Sequence, residues 1–160
     1  MDLMKFKDNV KKINEKVWQS KFSPVTLNYR DIEDLENHAK NNNLRQFRYC
    51  LQTNNKDNLQ QMLIFHSYPQ VINWHCQPKG GMVFYYVIKG QIDVILQQEE
   101  TKIYKLADYK YPNKELNSMI SIPKNVYRRI STNSNSSIFL EISSGSFKDS
   151  DTVWKISMKK

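Results

Sequence analysis

Short runs rich in Tyr, Phe, Ile and Val recur roughly every ten residues from Gln46 onward, and this spacing constrains the fold more than any other feature. Turn-forming residues such as Lys79–Gly81 and Lys89-Gly90 separate the runs. Evenly spaced short strands are typical of an antiparallel sandwich or barrel. The predicted strands are Gln46–Gln52, Gln60–His66, Gln70–Trp74, Met82–Ile88, Gln91–Gln97, Thr101–Leu106, Ser118–Ile122, Val126–Ser131, Ser137–Ser143 and Thr152–Ile156. The chain of 160 residues is therefore predicted to be mainly β and to suit one domain.

Two helices are predicted ahead of these strands. Four apolar residues recur at spacings of four, three and four, namely Phe6, Val10, Ile13 and Val17. This stripe predicts a first helix that ends at Ser23-Pro24. A second helix is predicted from about Asp31 to Lys40, where acidic residues suit the positive end of the helix dipole. We expect residues 1–43 to form a helical segment packed on the outside of the barrel, and residues 44–160 to form the barrel.

Charge and composition exclude several classes of partner. The chain has 24 Lys and Arg against 16 Asp and Glu, a net charge of +8. The lysines are scattered and form no arginine-rich run, so we expect no nucleic-acid partner. No apolar run approaches the roughly 20 residues that cross a bilayer, so we expect no membrane partner. The charged N-terminus does not suggest a signal peptide, and Cys50 and Cys76 are expected to be free thiols in a cytoplasmic protein.

Two stretches resemble the paired motifs of the cupin family. The first, PQVINWHCQPKGGMVFYYVIKG (Pro69–Gly90), resembles a His-x-His, a later Glu and a strand that ends in a Gly turn. The second, SIPKNVYRRI (Ser121–Ile130), resembles the Pro-x-Gly-x-x-His turn that supplies the last metal ligand. Three further stretches resemble the WbuC family of small cupin-fold proteins: LRQFRYCLQ (Leu44–Gln52), DNLQQMLI (Asp57–Ile64) and IFLEISSGSFKDSDTVW (Ile138–Trp154).

The resemblance covers about Pro24 to Ile156 and has implications for both fold and context. It implies a cupin double-stranded β-helix, which is an antiparallel jelly-roll barrel, with one or two helices at the N-terminus. The WbuC family is associated with surface-polysaccharide gene clusters. The resemblance therefore implies a role in surface-polysaccharide metabolism.

At the positions where the family binds metal, His75 is the one matching ligand. The remaining positions hold other residue types, namely Gln77, Met82 or Val83, Arg128 and, after the family's Cys, Gln52. His75 and Gln77 share one strand face, but a neutral amide is a poor substitute for imidazole. The guanidinium of Arg128 offers no lone pair and adds a positive charge where the cation would sit. We therefore expect no bound metal and no other cofactor.

Arg128 has two interpretations. The motif points it into the barrel mouth, where a buried guanidinium needs a carboxylate or a bound anion. Glu141 lies on a neighbouring predicted strand and could pair with it, which would make Arg128 structural. Alternatively, Arg128 binds an anionic ligand directly.

Three hypotheses for function remain open. The first is a metal-poor cupin that binds a sugar-like or anionic small molecule. Its expected binding residues are Arg128, Gln77, Tyr85, Gln52 and Tyr127. The second is a metal-independent enzyme, similar to an isomerase or epimerase, that acts on a nucleotide sugar with His75 as general base. The third is a structural or interaction protein without a ligand that forms a homodimer through its sheet faces.

Overall fold

The computed structural model describes residues 8–111, 113, 115–132, 134–145 and 151–155. Within these residues the chain forms twelve strands and one helix. In chain order they are β1 (Val10–Asn14), β2 (Val17–Ser20), α1 (Tyr29–Asn41), β3 (Gln46–Cys50), β4 (Leu59–Ser67), β5 (Val71–Cys76), β6 (Val83–Lys89), β7 (Gln91–Gln97), β8 (Thr101–Ala107), β9 (Met119–Ile122), β10 (Tyr127–Thr132), β11 (Ser136–Ser144) and β12 (Val153–Trp154).

The strands form two sheets. The larger has seven strands in the order β1-β2-β3-β4-β11-β6-β9, and the smaller has five in the order β12-β5-β10-β7-β8. Strands β2 and β3 run parallel. The other neighbouring strands within both sheets run antiparallel. This is the two-sheet, mainly antiparallel architecture that the strand spacing predicts.

The ten predicted strands are confirmed, and their bounds agree with the structure to within two residues. Strand β7 has the predicted bounds, Gln91–Gln97. Ile156, where the last strand was predicted to end, lies outside the described residues. The agreement arises because aromatic and β-branched residues fit a pleated, half-buried surface, and these runs are rich in them.

The predicted first helix is wrong from Val10 onward, because Val10–Asn14 and Val17–Ser20 form a β-hairpin. Phe6 lies outside the described residues. In the turn, the Lys16 amide donates to Asn14 Oδ1 at 2.8 Å. The Arg48 amide of β3 then donates to the Lys16 carbonyl at 2.8 Å. The hairpin supplies partners to an edge strand that would otherwise lack them, and this tertiary gain outweighs a marginal helical pattern.

The second predicted helix is confirmed as α1. Asn28 caps it: its side chain accepts from the Asp31 amide at 3.0 Å, and the Asp31 carboxylate accepts from the Asn28 amide at 2.9 Å. The helix buries Leu35 and Ala39 against the outer face of the larger sheet. It is amphipathic and thirteen residues long, and no described helix is long and apolar enough to cross a bilayer.

The main core lies between the two sheets. It is made by inward-facing residues of both, and its largest buried members include Tyr85, Ile92, Leu106, Ile130 and Phe139. Strand alternation also points polar side chains inward toward the ends of the strands. The candidate site lies at one of these ends.

Candidate functional site

A cavity of about 240 Å³ opens between the two sheets. The larger sheet contributes Arg48, Met62 and Glu141 from β3, β4 and β11, while His75 from β5 faces them. The full lining is Arg48, Met62, Ile72, His75, Gln77, Glu141, Thr152 and Trp154. Two of the predicted site residues, His75 and Gln77, therefore line the same cavity.

A β-bulge directs His75 into this cavity. Arg128 and Ile130 of β10 are two residues apart, but their partners on β5, His75 and Ile72, are three apart. The extra residue on β5 re-aims its side chains, as bulges do. Ile72 and His75 consequently both line the cavity.

The bulge also fixes the tautomer of His75. Nδ1 of the ring lies 2.8 Å from the Asn73 carbonyl oxygen, which can only accept a hydrogen bond. Nδ1 therefore carries the proton, and Nε2 keeps its lone pair. Burial, followed by the positive charge of Arg128, lowers the pKa of His75 to about 4. His75 is consequently neutral at physiological pH.

Arg128 lies beside His75 and is almost fully buried. Its Cα pairs with that of His75 in the sheet, and only 2% of its surface is exposed. Nε donates to the Tyr85 hydroxyl at 2.9 Å, while Nη2 is buried and has no hydrogen-bond partner among the residues that the structure describes. Burial opposes the charge on Arg128, but interactions with Tyr85 and Glu141 outweigh it and raise the pKa. The inward direction predicted for Arg128 is therefore correct.

The predicted ion pair between Arg128 and Glu141 does not form. Among the described residues, the ion pairs within 4.0 Å involve other side chains. Tyr85 instead interacts with both groups: it accepts from Arg128, and burial together with Glu141 raises its pKa. Arg128, Tyr85 and Glu141 thus form a buried polar chain in which the phenol links the two charges.

The other predicted binding residues do not join the cavity. Tyr85 has no exposed surface and serves to hold Arg128. Gln52 accepts from the Gln61 amide at 2.9 Å and donates to Gln60 Oε1 at 2.8 Å, so it extends the pairing of β3 with β4. Tyr127 precedes Arg128 on β10 and therefore faces out of the sheet, where the Lys155 ammonium lies 6.0 Å from its ring centroid.

Arg48 is the site residue that the sequence analysis missed. It lines the cavity from β3, and the Gln46 amide oxygen accepts from its Nε at 3.1 Å and its Nη2 at 2.9 Å when the amide is oriented toward it. Its position could have been found. Gln46, Arg48 and Cys50 alternate along one strand, so placing any one of them inward places all three inward.

The residues present do not fit the metal that many cupins hold. Within the part of the chain that the structure describes, no three His, Cys, Asp or Glu residues cluster in a way that could hold a metal. The one imidazole, His75, lies next to the buried Arg128, whose Nη2 already lacks a partner. A cation placed here would meet a permanent positive charge and would have too few anionic or imidazole ligands.

Solved structures identify the fold. Protein SO0799 from Shewanella oneidensis superposes with a TM-score of 0.53 at 12% identity, over 62% of this chain and 63% of that one. KdgF from Halomonas sp. gives 0.51 at 14% identity, over 66% and 83%. Oxalate decarboxylase from Bacillus subtilis gives 0.51 at 15% identity, over 62% of this chain and 24% of that longer one. The chain has the β-barrel fold of the cupins, as its motifs predict.

Comparison of the sequence identifies no relatives, in contrast to comparison of the structure. No protein-family model matches the chain, and no curated protein matches it significantly. The cupin fold therefore rests on the structure and its neighbours, and fold alone does not define an activity.

Proposed function

We propose that this protein is a cupin of the WbuC type that binds a small anionic, sugar-like ligand without a metal, in the context of surface-polysaccharide metabolism. The observation that carries the proposal is the charge of the cavity. Two guanidinium groups, Arg48 and Arg128, meet one carboxylate, Glu141, and His75 beside them is neutral. Among these described groups the positive charges exceed the negative ones by one, and an anion would balance the excess.

The two arginines have different parts in this proposal. Arg48 lines the cavity and can present its planar donors to a carboxylate or phosphate, a geometry that favours bidentate hydrogen bonds. Arg128 is 2% exposed, so it acts through its charge from behind the cavity wall. We infer that Arg48 touches the ligand and that Arg128 raises the local positive potential.

The remaining lining supplies groups of the kind that bind an organic anion. Gln77 offers an amide that can donate or accept. The ring of Trp154 is 54% exposed and lies 5.2 Å from that of His75, centroid to centroid. An aromatic surface beside hydrogen-bonding groups is typical of small-molecule sites. These groups would orient the uncharged part of the ligand.

The state of His75 favours binding over catalysis. Nε2 is oriented to accept a proton, and this geometry supports the alternative of a metal-independent isomerase or epimerase. A general base works best when its pKa lies near the operating pH, and a pKa of about 4 makes His75 a weak base there. The neighbouring arginines would oppose the imidazolium that proton abstraction creates.

Isothermal titration calorimetry with a panel of small carboxylates, sugar phosphates and neutral sugars tests the proposal. We expect binding of carboxylates or phosphates and not of neutral sugars, with affinity that falls as salt is raised. The variant Arg48→Gln should weaken binding by roughly tenfold or more. Arg45→Gln is the matched control, because Arg45 is exposed and precedes the same strand. No binding of any anion, or equal loss in both variants, would refute an anion site at Arg48.

A further inference from the structure

A second cavity lies on the other side of Arg48, with a volume of about 190 Å³. Arg48 and Met62 line both cavities and so form the boundary between them. The N-terminal hairpin supplies part of the new lining, including Val17 and Gln19 from β2. The hairpin therefore walls a compartment as well as completing the sheet edge.

The size of each cavity limits what it can hold alone. Pockets for drug-sized ligands usually measure about 300–1,000 Å³, and both cavities here are smaller than that range. A more open hollow of about 570 Å³ also reaches Arg48. Within the two enclosed cavities, a ligand larger than either one would have to occupy both, with Arg48 between its two halves. Such a ligand would meet the first cavity's charged groups at one end and the hairpin's lining at the other.

The second cavity differs sharply from the first in chemistry. Arg48 is the single charged group among its described lining residues, and half of the lining consists of amides: Asn14, Gln19, Gln52, Asn55 and Gln60. An amide offers both a donor and an acceptor. A sugar hydroxyl can therefore donate to its oxygen or accept from its nitrogen. Apolar side chains such as Val17 and Met62 complete the wall and suit the C–H surface of a sugar ring.

The side-chain amide of Gln19 can make further hydrogen bonds at this position. It is buried, and its Nε2 donates a long hydrogen bond of 3.4 Å to Asn55 Oδ1. Within the described residues, Gln19 Oε1 has no protein partner, and neither does Asn55 Nδ2. Gln52 and Gln60 are bonded to each other and to the backbone and so hold the wall in place.

Resting on the proposed function, we propose that the ligand is an acidic sugar, a pyranose that carries a carboxylate. The carboxylate contacts Arg48 from the first cavity, and the ring hydroxyls contact the amides of the second. Gln19 is then a specificity-determining residue that selects a polyhydroxylated ligand over a simple organic acid.

Titration of the full chain with acetate and with D-glucuronate tests this inference. Both carry one carboxylate, and only D-glucuronate has a ring with hydroxyls. We expect D-glucuronate to bind at least roughly tenfold more tightly, because several hydrogen bonds are added. Gln19→Leu should remove most of that difference and leave acetate binding unchanged. Gln98→Leu, in an exposed turn, is the matched control.

A second variant keeps the test independent of how Gln19→Leu folds. Val17→Trp would fill the second cavity and leave the first open. Of these two cavities, Val17 lines only the second. It should reduce D-glucuronate binding to the level of acetate. Equal affinity of the unmodified protein for both ligands would overturn the inference and leave the anion site standing. If neither ligand binds, the inference is overturned; the proposed function fails as well only if the sugar phosphates and other carboxylates of the calorimetry panel do not bind either.

Discussion

The two ends of the barrel interior are built alike and behave differently. Polar residues flank an apolar centre on the inward faces of two strands: Arg128, Ile130 and Thr132 on β10, and Ser137, Phe139 and Glu141 on β11. The open end carries His75 and Glu141, which line the cavity, and Arg128, which lies behind its wall. The closed end carries His66, Thr132 and Ser137. Each end thus contains one buried histidine.

Access distinguishes the two histidines. At the closed end, His66 Nδ1 lies 3.2 Å from Thr132 Oγ1, and that oxygen lies 3.3 Å from Ser137 Oγ. His66 has no exposed surface, and its Nε2 has no hydrogen-bond partner within the described part of the chain. Burial lowers the pKa of His66 to about 3, just as it lowers that of His75. A buried histidine with a shifted pKa therefore marks a binding site only where a cavity reaches it.

The largest expected effect comes from removing the ring that both ends share. Phe139 packs edge-on against His66 with centroids 5.0 Å apart, and against Tyr85 at 6.0 Å. Phe139→Ala should lower the free energy of unfolding by about 3–5 kcal/mol, because it leaves a cavity in the centre of the core. Urea denaturation measures this. Phe22→Ala, at a side chain that is 62% exposed, should cost far less.

Both histidines should contribute about equally to the pH dependence of the free energy of unfolding. Their folded pKa values, about 3 and about 4, lie below the ordinary value of 6.5, so the unfolded chain binds more protons below pH 6.5. The free energy of unfolding should therefore fall as pH drops from 6.5 to 5, with a slope for each histidine that steepens toward a limit of about 1.4 kcal/mol per pH unit.

Leucine variants separate these two contributions. His66→Leu and His75→Leu should each remove about half of the slope in urea titrations at pH 7, 6 and 5. Only His75→Leu should change anion binding. A slope unaffected by His66→Leu would mean that the closed end is more open to water than its geometry indicates.

A smaller effect is expected from the phenol that holds Arg128. Tyr85→Phe removes the acceptor of the Arg128 Nε hydrogen bond and leaves a buried charged donor unpartnered. We expect a loss of about 1–3 kcal/mol in the free energy of unfolding. Tyr109→Phe, at a side chain that is 78% exposed, is the control and should change nothing measurable. Equal stability of the two variants would show that Arg128 does not depend on Tyr85.

The smallest expected effect is that of a chelator. Because the cavity combines one imidazole with a buried guanidinium, purified protein should contain well under one equivalent of Zn, Ni, Fe or Mn. Dialysis against EDTA should leave the melting temperature unchanged. A stoichiometric metal, lost together with thermal stability in His75→Ala, would contradict this expectation.

Much of the open end could be predicted from the sequence because strand alternation is strict. Once β10 is assigned, Arg128 must point inward if Ile130 does, and the same rule places Glu141 on β11. That rule also excludes Tyr127, which cannot share a face with its neighbour Arg128. Alternation alone therefore places only one of these two residues on the cavity side of the strand.

The hairpin was harder to predict for a different reason. Residues 10–20 have no strong local preference, and their strands exist because β3 offers an unpaired edge. Residues far along the chain supply that edge, so no local sequence pattern in residues 10–20 predicts the hairpin. The second cavity depends on the same pairing of β2 with β3 and could not be predicted from the sequence for the same reason.

The parallel pairing of β2 with β3 has a consequence for how the chain must be routed. Two parallel strands cannot be joined by a tight turn, and the connection has to cross over the sheet, usually through a helix. Here α1 is that crossover, and it covers the outer face of the sheet edge whose inner face walls the second cavity. The helix that covers the outer face and the strands that wall the second cavity therefore belong to one continuous β2-α1-β3 segment. A cleavage between α1 and β3 would cut the covalent route that brings the wall to its place.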